Sequence, residues 1–417
     1  MNQVSGQVIG NPDESVSARA AAARPMASRR AVRLWLWGLA ALVMIMVAVG
    51  GATRLTGSGL SITEWKPVTG AIPPFSDAAW ASEFEKYRAS SQYQNLNRGM
   101  ALDEFKTIYW WEWSHRQLGR FLGVYFFLPL LWFWWRGRVS TRLALGLVGI
   151  GALGGLQATV GWIMVASGLE PGMTAVAPLK LMLHLVLASL ILALIVWVAA
   201  GLEPTQILSP VGRGEQARSA ARVRGGDDSG EDNPPSSGRF AARPLSTGER
   251  ILASADGPDA SPHGDVRRGL ARGAMALVLL ILLQIALGGL VAGSRAGWTY
   301  NTWPLMDGRI VPEVSAMFSV KPWIENFVDN PVLVQFNHRM VAYLIVAAAL
   351  WHAFAARAGA GAGRAGLIAG LTLAQAALGI TTLLLVVPLW AGLSHQLLAM
   401  VLLMVAVHHA RRMRVGG

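Results

Sequence analysis

The chain contains no cysteine. That excludes disulfides, iron–sulfur clusters, thiolate metal sites and thiol catalysis together, and it leaves histidine and carboxylates as donors for any metal. Charge is also scarce: 14% of the 417 residues are Asp, Glu, Lys or Arg, against roughly a quarter in soluble domains. With 53% hydrophobic residues and a mean hydropathy of +0.41, neither a soluble globular enzyme nor a disordered chain fits. Acidic residues are the scarcer sign, 24 against 36 Lys and Arg, for a net charge of +12. In so apolar a chain that excess reads as membrane topology, not as nucleic-acid binding. The 17 tryptophans are the ring type that gathers at membrane–water interfaces.

What is present is a series of apolar runs of spanning length, about Leu34–Gly51, His115–Trp135, Leu143–Ala166, Leu181–Ala200, Gly273–Gly293, Val332–Phe354, Ala365–Val387 and Trp390–Ala410. The first starts too late and lacks a cleavage pattern for a signal peptide. Arginine then orients the chain. Arg19, Arg24, Arg29, Arg30 and Arg33 precede the first run, and Arg136, Arg138 and Arg142 follow the second. Arg267, Arg268 and Arg272 precede the fifth, Arg357 and Arg364 follow the sixth, and Arg411, Arg412 and Arg414 end the chain. Eight crossings put all of these on one side, so both termini are expected to be cytoplasmic.

The expected fold is an all-α integral membrane protein of eight transmembrane helices in two pseudo-symmetric four-helix bundles. Residues 1–33 form an N-terminal tail, 34–200 the first bundle, 201–271 a disordered cytoplasmic linker rich in Gly, Pro, Ser, Asp and Arg, and 272–417 the second bundle. The repeat is legible in paired features: Gly50-Gly51 with Gly288-Gly289, His115-Arg116 with His338-Arg339, Gln157-x-x-x-Gly161 with Gln375-x-x-x-Gly379, and His184 with His395. Gly154, Gly155, Gly161 and Gly379 are expected to let helices approach closely.

Four of the eight histidines, His115, His184, His338 and His395, fall within the first two turns of the even-numbered runs, hence at one depth. His263, His352, His408 and His409 are read as solvated or snorkelling. A lone intramembrane histidine is most often a hydrogen-bonded core imidazole. Four at matching places in a duplicated bundle point instead to two bis-imidazole haem sites, His115 with His184 and His338 with His395. Zinc-type sites want three or four donors, and each half offers two His and at most one nearby acid. Arg116, Arg120 and Arg339 are candidate propionate contacts, with snorkelling as the plain alternative. The halves differ at one place: Glu112 precedes His115 by three residues, whereas Gln335 precedes His338. A carboxylate beside one site only suggests that protons move there; an interfacial Glu among Trp110, Trp111 and Trp113 is the alternative. Long aromatic loops, about 53–114 and 294–331, are placed to lid both sites or simply cap them.

At these residues the chain resembles the haem A synthase family. The similar text is Arg54–Pro74, Glu104-Phe105-Lys106 leading into Glu112-Trp113-Ser114-His115-Arg116, Tyr300–Gly308, and Gln335-Phe336-Asn337-His338-Arg339. The resemblance covers residues 34–200 and 272–417. It implies oxidation of the C8 methyl group of haem O to a formyl group by successive hydroxylations, giving haem A for terminal oxidases. It further implies a haem b cofactor held by His338 and His395, the substrate haem O at His115 and His184, and a catalytic role for Glu112. Some family members carry a cysteine pair in the first loop; this chain resembles the cysteine-free branch. Implied partners are membrane lipid, a haem O synthase and an external electron carrier, with no nucleic acid. The implied location is a bacterial cytoplasmic membrane. A mitochondrial inner membrane is the alternative, because the Arg/Ala/Ser-rich tail resembles a transit peptide, although Asp13 and Glu14 weigh against it. Bis-His ligation leaves no open iron position for dioxygen, so either an N-terminal ligand releases during turnover or water supplies the oxygen. An electron-transfer cytochrome b and a haem carrier remain the competing classes.

Overall fold

Every turn of a membrane-crossing chain has to satisfy its backbone internally, and here the solution is helical throughout. The computed structural model describes residues 12–204, 262–359 and 361–415. Most of the expected linker and the first eleven residues therefore lie outside the described residues. The long helices are α1 (Pro12–Leu55), α2 (Leu102–Trp135), α3 (Thr141–Gly168), α4 (Pro178–Gly201), α5 (Pro262–Gly293), α6 (Pro331–Ala356), α7 (Ala362–Leu384) and α8 (Leu389–Val415). Each contains a stretch long and apolar enough to cross a membrane, and no β-strand occurs among the described residues. Local chemistry sets several of the starts. Ser140 caps α3 by accepting the Leu143 N–H, Asn330 caps α6 by accepting from Val332 and Leu333, and Pro178 and Pro331 occupy first turns.

Helices α1 and α5 start earlier than expected, at Pro12 within the expected tail and at Pro262 within the linker, so residues 262–271 are helical rather than disordered. Two further boundaries differ for identifiable reasons. Helix α2 begins at Leu102, not at His115, so it extends about 20 Å beyond that histidine. Asp103, Glu104, Lys106 and Thr107 make this extension look like a loop. Its other face carries Phe105 and Tyr109, which pack with Trp80, Tyr87 and Tyr93 from two short helices, Asp77–Arg88 and Ser91–Leu96. Tyr87 stacks on Phe105 with ring centroids 5.3 Å apart. The long first loop is thus a folded cap with its own aromatic core. Its face of the molecule, where even-numbered helices begin, is called the cap face below. At the other boundary, α7 ends at Leu384 because Val386 and Val387 adopt left-handed conformations, φ 59° and 57°, which β-branched residues adopt rarely.

The apolar core runs along α1, α4, α5 and α8, through residues such as Leu36, Leu39, Leu192, Ile195, Ile281 and Leu403. Close backbone approach occurs at Gly289 and Gly293 of α5. A Cβ on these would lie 3.0 Å from Met182 Cα and 2.6 Å from Pro178 Cα of α4. That corrects the expectation for Gly154 and Gly155, which have nothing within 4 Å, and for Gly161 and Gly379, which abut imidazole rings rather than a helix backbone. The face opposite the cap holds another correction. His352 and His409 are not solvated; they are 5% and 0% exposed and pair through their Nε2 atoms at 3.0 Å. His408 bonds the Glu203 carboxylate at 3.0 Å.

Candidate functional site

Each even-numbered spanning helix carries one of the four histidines toward its cap-face end, and each odd-numbered helix presents a glycine to it. A Cβ on Gly161 would fall 2.8 Å from His184 Cε1, one on Gly379 2.7 Å from His395 Cε1, one on Gly288 3.3 Å from His338 Cε1, and one on Gly50 3.0 Å from His115 Nε2. At Gly161 and Gly379 any larger residue would collide with the ring. One turn further along the odd helices, four residues before the glycine, stand Gln157, Gln284 and Gln375. Their Nε2 atoms donate to the backbone carbonyls of His184, His338 and His395 at 3.0, 3.0 and 2.9 Å, and lie 3.2 Å from a nitrogen of each ring. The three Oε1 atoms are buried and lack a partner among the described residues.

The structure brings His115 to His184 and His338 to His395, each pair close enough to interact electrostatically. All four histidines are half-buried. Among the described residues no three of His, Asp and Glu converge. The donor sets are therefore pairs of imidazoles, which suit axial ligation of iron in a planar macrocycle rather than tetrahedral zinc.

Glu112 is not an interfacial carboxylate facing water; it is 3% exposed. Its Oε2 accepts from the Ser61 hydroxyl and the Ile62 N–H, both at 2.8 Å, and its Oε1 accepts from Arg116 Nη2 at 2.6 Å. Arg116 also donates to the carbonyls of Ile62 and Glu64, at 2.9 and 3.0 Å. Arg120 donates to those of Lys66 and Pro67, at 3.0 and 2.9 Å. Together these side chains lay residues 61–67 over the first histidine pair, where Trp65 meets Trp162 of α3 with ring centroids 5.0 Å apart. The second pair is covered with the opposite hydrogen-bond polarity. Gln335, at the position matching Glu112, donates to the Ala296 and Tyr300 carbonyls at 2.9 and 3.1 Å, and Arg339 donates to Tyr300 O at 3.0 Å. The three arginines thus hold loops; of their nitrogens, Arg339 Nε is buried without a partner among the described residues. Away from the spans, salt-bridging hydrogen bonds from Lys66 and then Lys86 hold the Glu64 carboxyl down at about 2. Burial raises the Tyr87 phenol in the cap.

Sequence reasoning missed Gln284 and Ser61, and it used Gln157 and Gln375 only as marks of the repeat. The spacing was available: Gln-x-x-x-Gly occurs in the third, fifth and seventh runs alike. Ser61 left no such signal, because its partner is 51 residues away.

The fold and site define a helical, multi-pass membrane protein with two capped pairs of imidazoles, one of them beside a buried carboxylate. Comparison with known sequences narrows the class. The family described as cytochrome oxidase assembly protein, COX15-CtaA, matches residues 33–225 and 248–407. The chain is 58% identical over 396 residues to the heme A synthase of Methylobacterium sp. (strain 4-46), covering 94% of this chain and 93% of that one. It is 46% identical to the heme A synthase of Beijerinckia indica subsp. indica, over 93% and 94% of the two chains. It is 45% identical to that of Rhodopseudomonas palustris (strain BisB5), over 92% and 91%. The chain belongs to the COX15-CtaA family.

Proposed function

We propose that this chain is a haem A synthase that oxidises the C8 methyl group of haem O to a formyl group by successive hydroxylations, the second giving a geminal diol that loses water. Family membership and identity across both bundles support the activity. The observation that carries the chemistry is the contrast between two imidazole pairs of similar build: a buried Glu112 stands one turn from His115, and an uncharged Gln335 one turn from His338. The substrate haem O belongs at His115 and His184, and the resident cofactor haem b at His338 and His395. The residues suit haem b: two neighbouring imidazoles, each with a glycine against its ring, and an Arg339 Nε that is buried without a partner among the described residues and is available to a propionate. When bound, haem b supplies one-electron transfer.

The chain's own contribution is to hold, orient and cover. Gly161, Gly288 and Gly379 make room for rings, and Gln284 and Gln375 fix the turns from which His338 and His395 project. The Ser61–Pro67 segment, drawn down by Glu112, Arg116 and Arg120, excludes water over the substrate site. Glu112 moves the proton. Its Oε2 is held by the Ser61 hydroxyl, which also lies 3.3 Å from the Ile108 carbonyl. Rotation of that hydroxyl toward Ile108 would leave Oε2 with the Ile62 N–H as its one donor and a lone pair free to take up a proton as the methyl carbon is oxidised, the electrons passing to the external carrier.

Arginine bias puts both termini in the cytoplasm and the cap face outside, in a bacterial cytoplasmic membrane. Haem O is too apolar to cross water, so it enters laterally from lipid, handed over by a haem O synthase, and an external electron carrier completes the cycle.

The test is chromatography of haems extracted from the chain co-expressed with a haem O source. Haem A or its hydroxylated precursor alongside haem b is the expected result. Glu112→Gln is expected to retain both haems and to lose product by at least about 100-fold, the scale of a lost acid–base group. Haem b alone at both sites would favour an electron-transfer cytochrome instead.

A further inference from the structure

The four histidines are not held alike. Three share one arrangement: a Gln on the neighbouring odd helix donates to the histidine's own backbone carbonyl, and a glycine one turn away faces the Cε1 edge of the ring. In these three, the ring atom nearest the glycine Cβ position is Cε1, at 2.8, 3.3 and 2.7 Å, with Nδ1 next at 3.2, 3.8 and 3.3 Å. His184, His338 and His395 thus adopt a common pose.

His115 breaks the pattern twice. The position four residues before Gly50, where the other helices carry glutamine, is Met46. Its thioether cannot donate, and its Cε methyl instead fills the space beside Gly119 of α2, 3.1 Å from that residue's Cβ position. No group among the described residues hydrogen-bonds the His115 ring. The ring is also turned. The atom nearest Gly50 is Nε2, at 3.0 Å, followed by Cδ2 at 3.5 Å and Cε1 at 3.7 Å. Nε2, the atom nearest to α1 in His115, is the third-nearest ring atom in His184 and His395, 3.6 Å from the Gly161 and Gly379 Cβ positions.

An imidazole ligand is ordinarily oriented by a neighbouring group, and removing that neighbour weakens ligation; here the neighbour is a glutamine amide that donates to the histidine's backbone carbonyl and so fixes the turn from which the ring projects. Methionine and glutamine are close in length, so the difference at residue 46 is the missing donor, not missing volume. We propose that His115 is the exchangeable ligand of the N-terminal haem site, and that Met46 is the positioning residue that leaves its ring free to turn off the iron. The inference rests on the assignment of the substrate haem to His115 and His184. It gives that site an openable coordination position on the His115 side, next to Glu112, and leaves the His338–His395 site closed on both sides.

Carbon monoxide is the probe, because it binds only a ferrous haem with a ligand position it can take. The full chain, purified after co-expression with a haem O source, is reduced with dithionite and titrated with carbon monoxide while difference spectra are recorded. Wild type is expected to bind it at one haem of two. Met46→Gln should weaken that binding about tenfold, the scale of one added hydrogen bond, and Met46→Leu should leave it unchanged. Gln375→Leu, read at the C-terminal haem, should confer binding that wild type lacks there, which keeps the test independent of how well Met46→Gln folds. Equal affinity in wild type and Met46→Gln, or no binding by wild type with both haems present, overturns the proposal. A single haem per chain, or a second haem unaffected by His115→Ala and His184→Ala, instead overturns the site assignment beneath it.

Discussion

Gly379→Ala places one methyl group against one ring, and its consequence can be worked from the geometry. The added Cβ would stand 2.7 Å from His395 Cε1, 3.3 Å from Nδ1 and 3.6 Å from Nε2. Carbon atoms rest at about 3.5–4.0 Å, so the ring has to retreat by about 1 Å. Functional constellations tolerate roughly half that displacement. Gln375 resists the movement, because its amide is tied to the His395 carbonyl at 2.9 Å. Overpacking of this kind costs about 1–3 kcal/mol, which is about 5- to 150-fold in occupancy of a site that depends on the ring. Gly370→Ala is the control: it lies in the same helix, has nothing within 4 Å, and carries the same gain in helix propensity. The assay is haem b per purified chain, with the reduced absorption band as a check on ligation. Gly370→Ala should match wild type, and Gly379→Ala should lose most of its haem b or show altered ligation. Full haem b with an unchanged spectrum in Gly379→Ala would refute the reasoning that this glycine exists to seat His395.

Two further predictions concern the covers. Gln335→Glu would set a carboxylate against the Ala296 and Tyr300 carbonyls that now accept from Gln335; a loss of about 1–3 kcal/mol should appear as faster proteolysis within residues 296–309, with residues 61–67 unaffected. Glu64 has its carboxyl lowered from 4.5 to about 2 by Lys66 and Lys86. Its contribution to cap stability is therefore complete above about 4.5 and lost as the pH falls toward 2. Its side chain is 43% exposed, so screening limits the effect to under about 1 kcal/mol. Glu64→Gln should flatten the acid limb of cap unfolding slightly at low salt and leave it unchanged at high salt.

The membrane architecture was legible because lipid imposes a simple code: eight long apolar stretches separated by arginine. The four histidines were legible because they recur at matching places. The α2 extension was not, since Phe105 and Tyr109 find their partners across a tertiary cap that reaches back to Ile62 and Trp80, and local polarity reads as loop. Glu112 could be singled out by its contrast with Gln335, but not its burial, which depends on Ser61 and Ile62 folding back over it. Gly154 and Gly155 misled for the opposite reason: small residues resemble a packing motif whether or not a neighbour is there. The pairing of His352 with His409 joins two helices 57 residues apart, a contact no local pattern announces.

The central claim is a division of labour between the two histidine pairs, and haem composition of two variants tests it most directly. With haem O supplied, purified His338→Ala should lack haem b and hold haem O unconverted. His115→Ala should keep haem b and yield no haem A. Loss of the same haem from both variants, or haem A from His115→Ala at the wild-type level, would contradict the account.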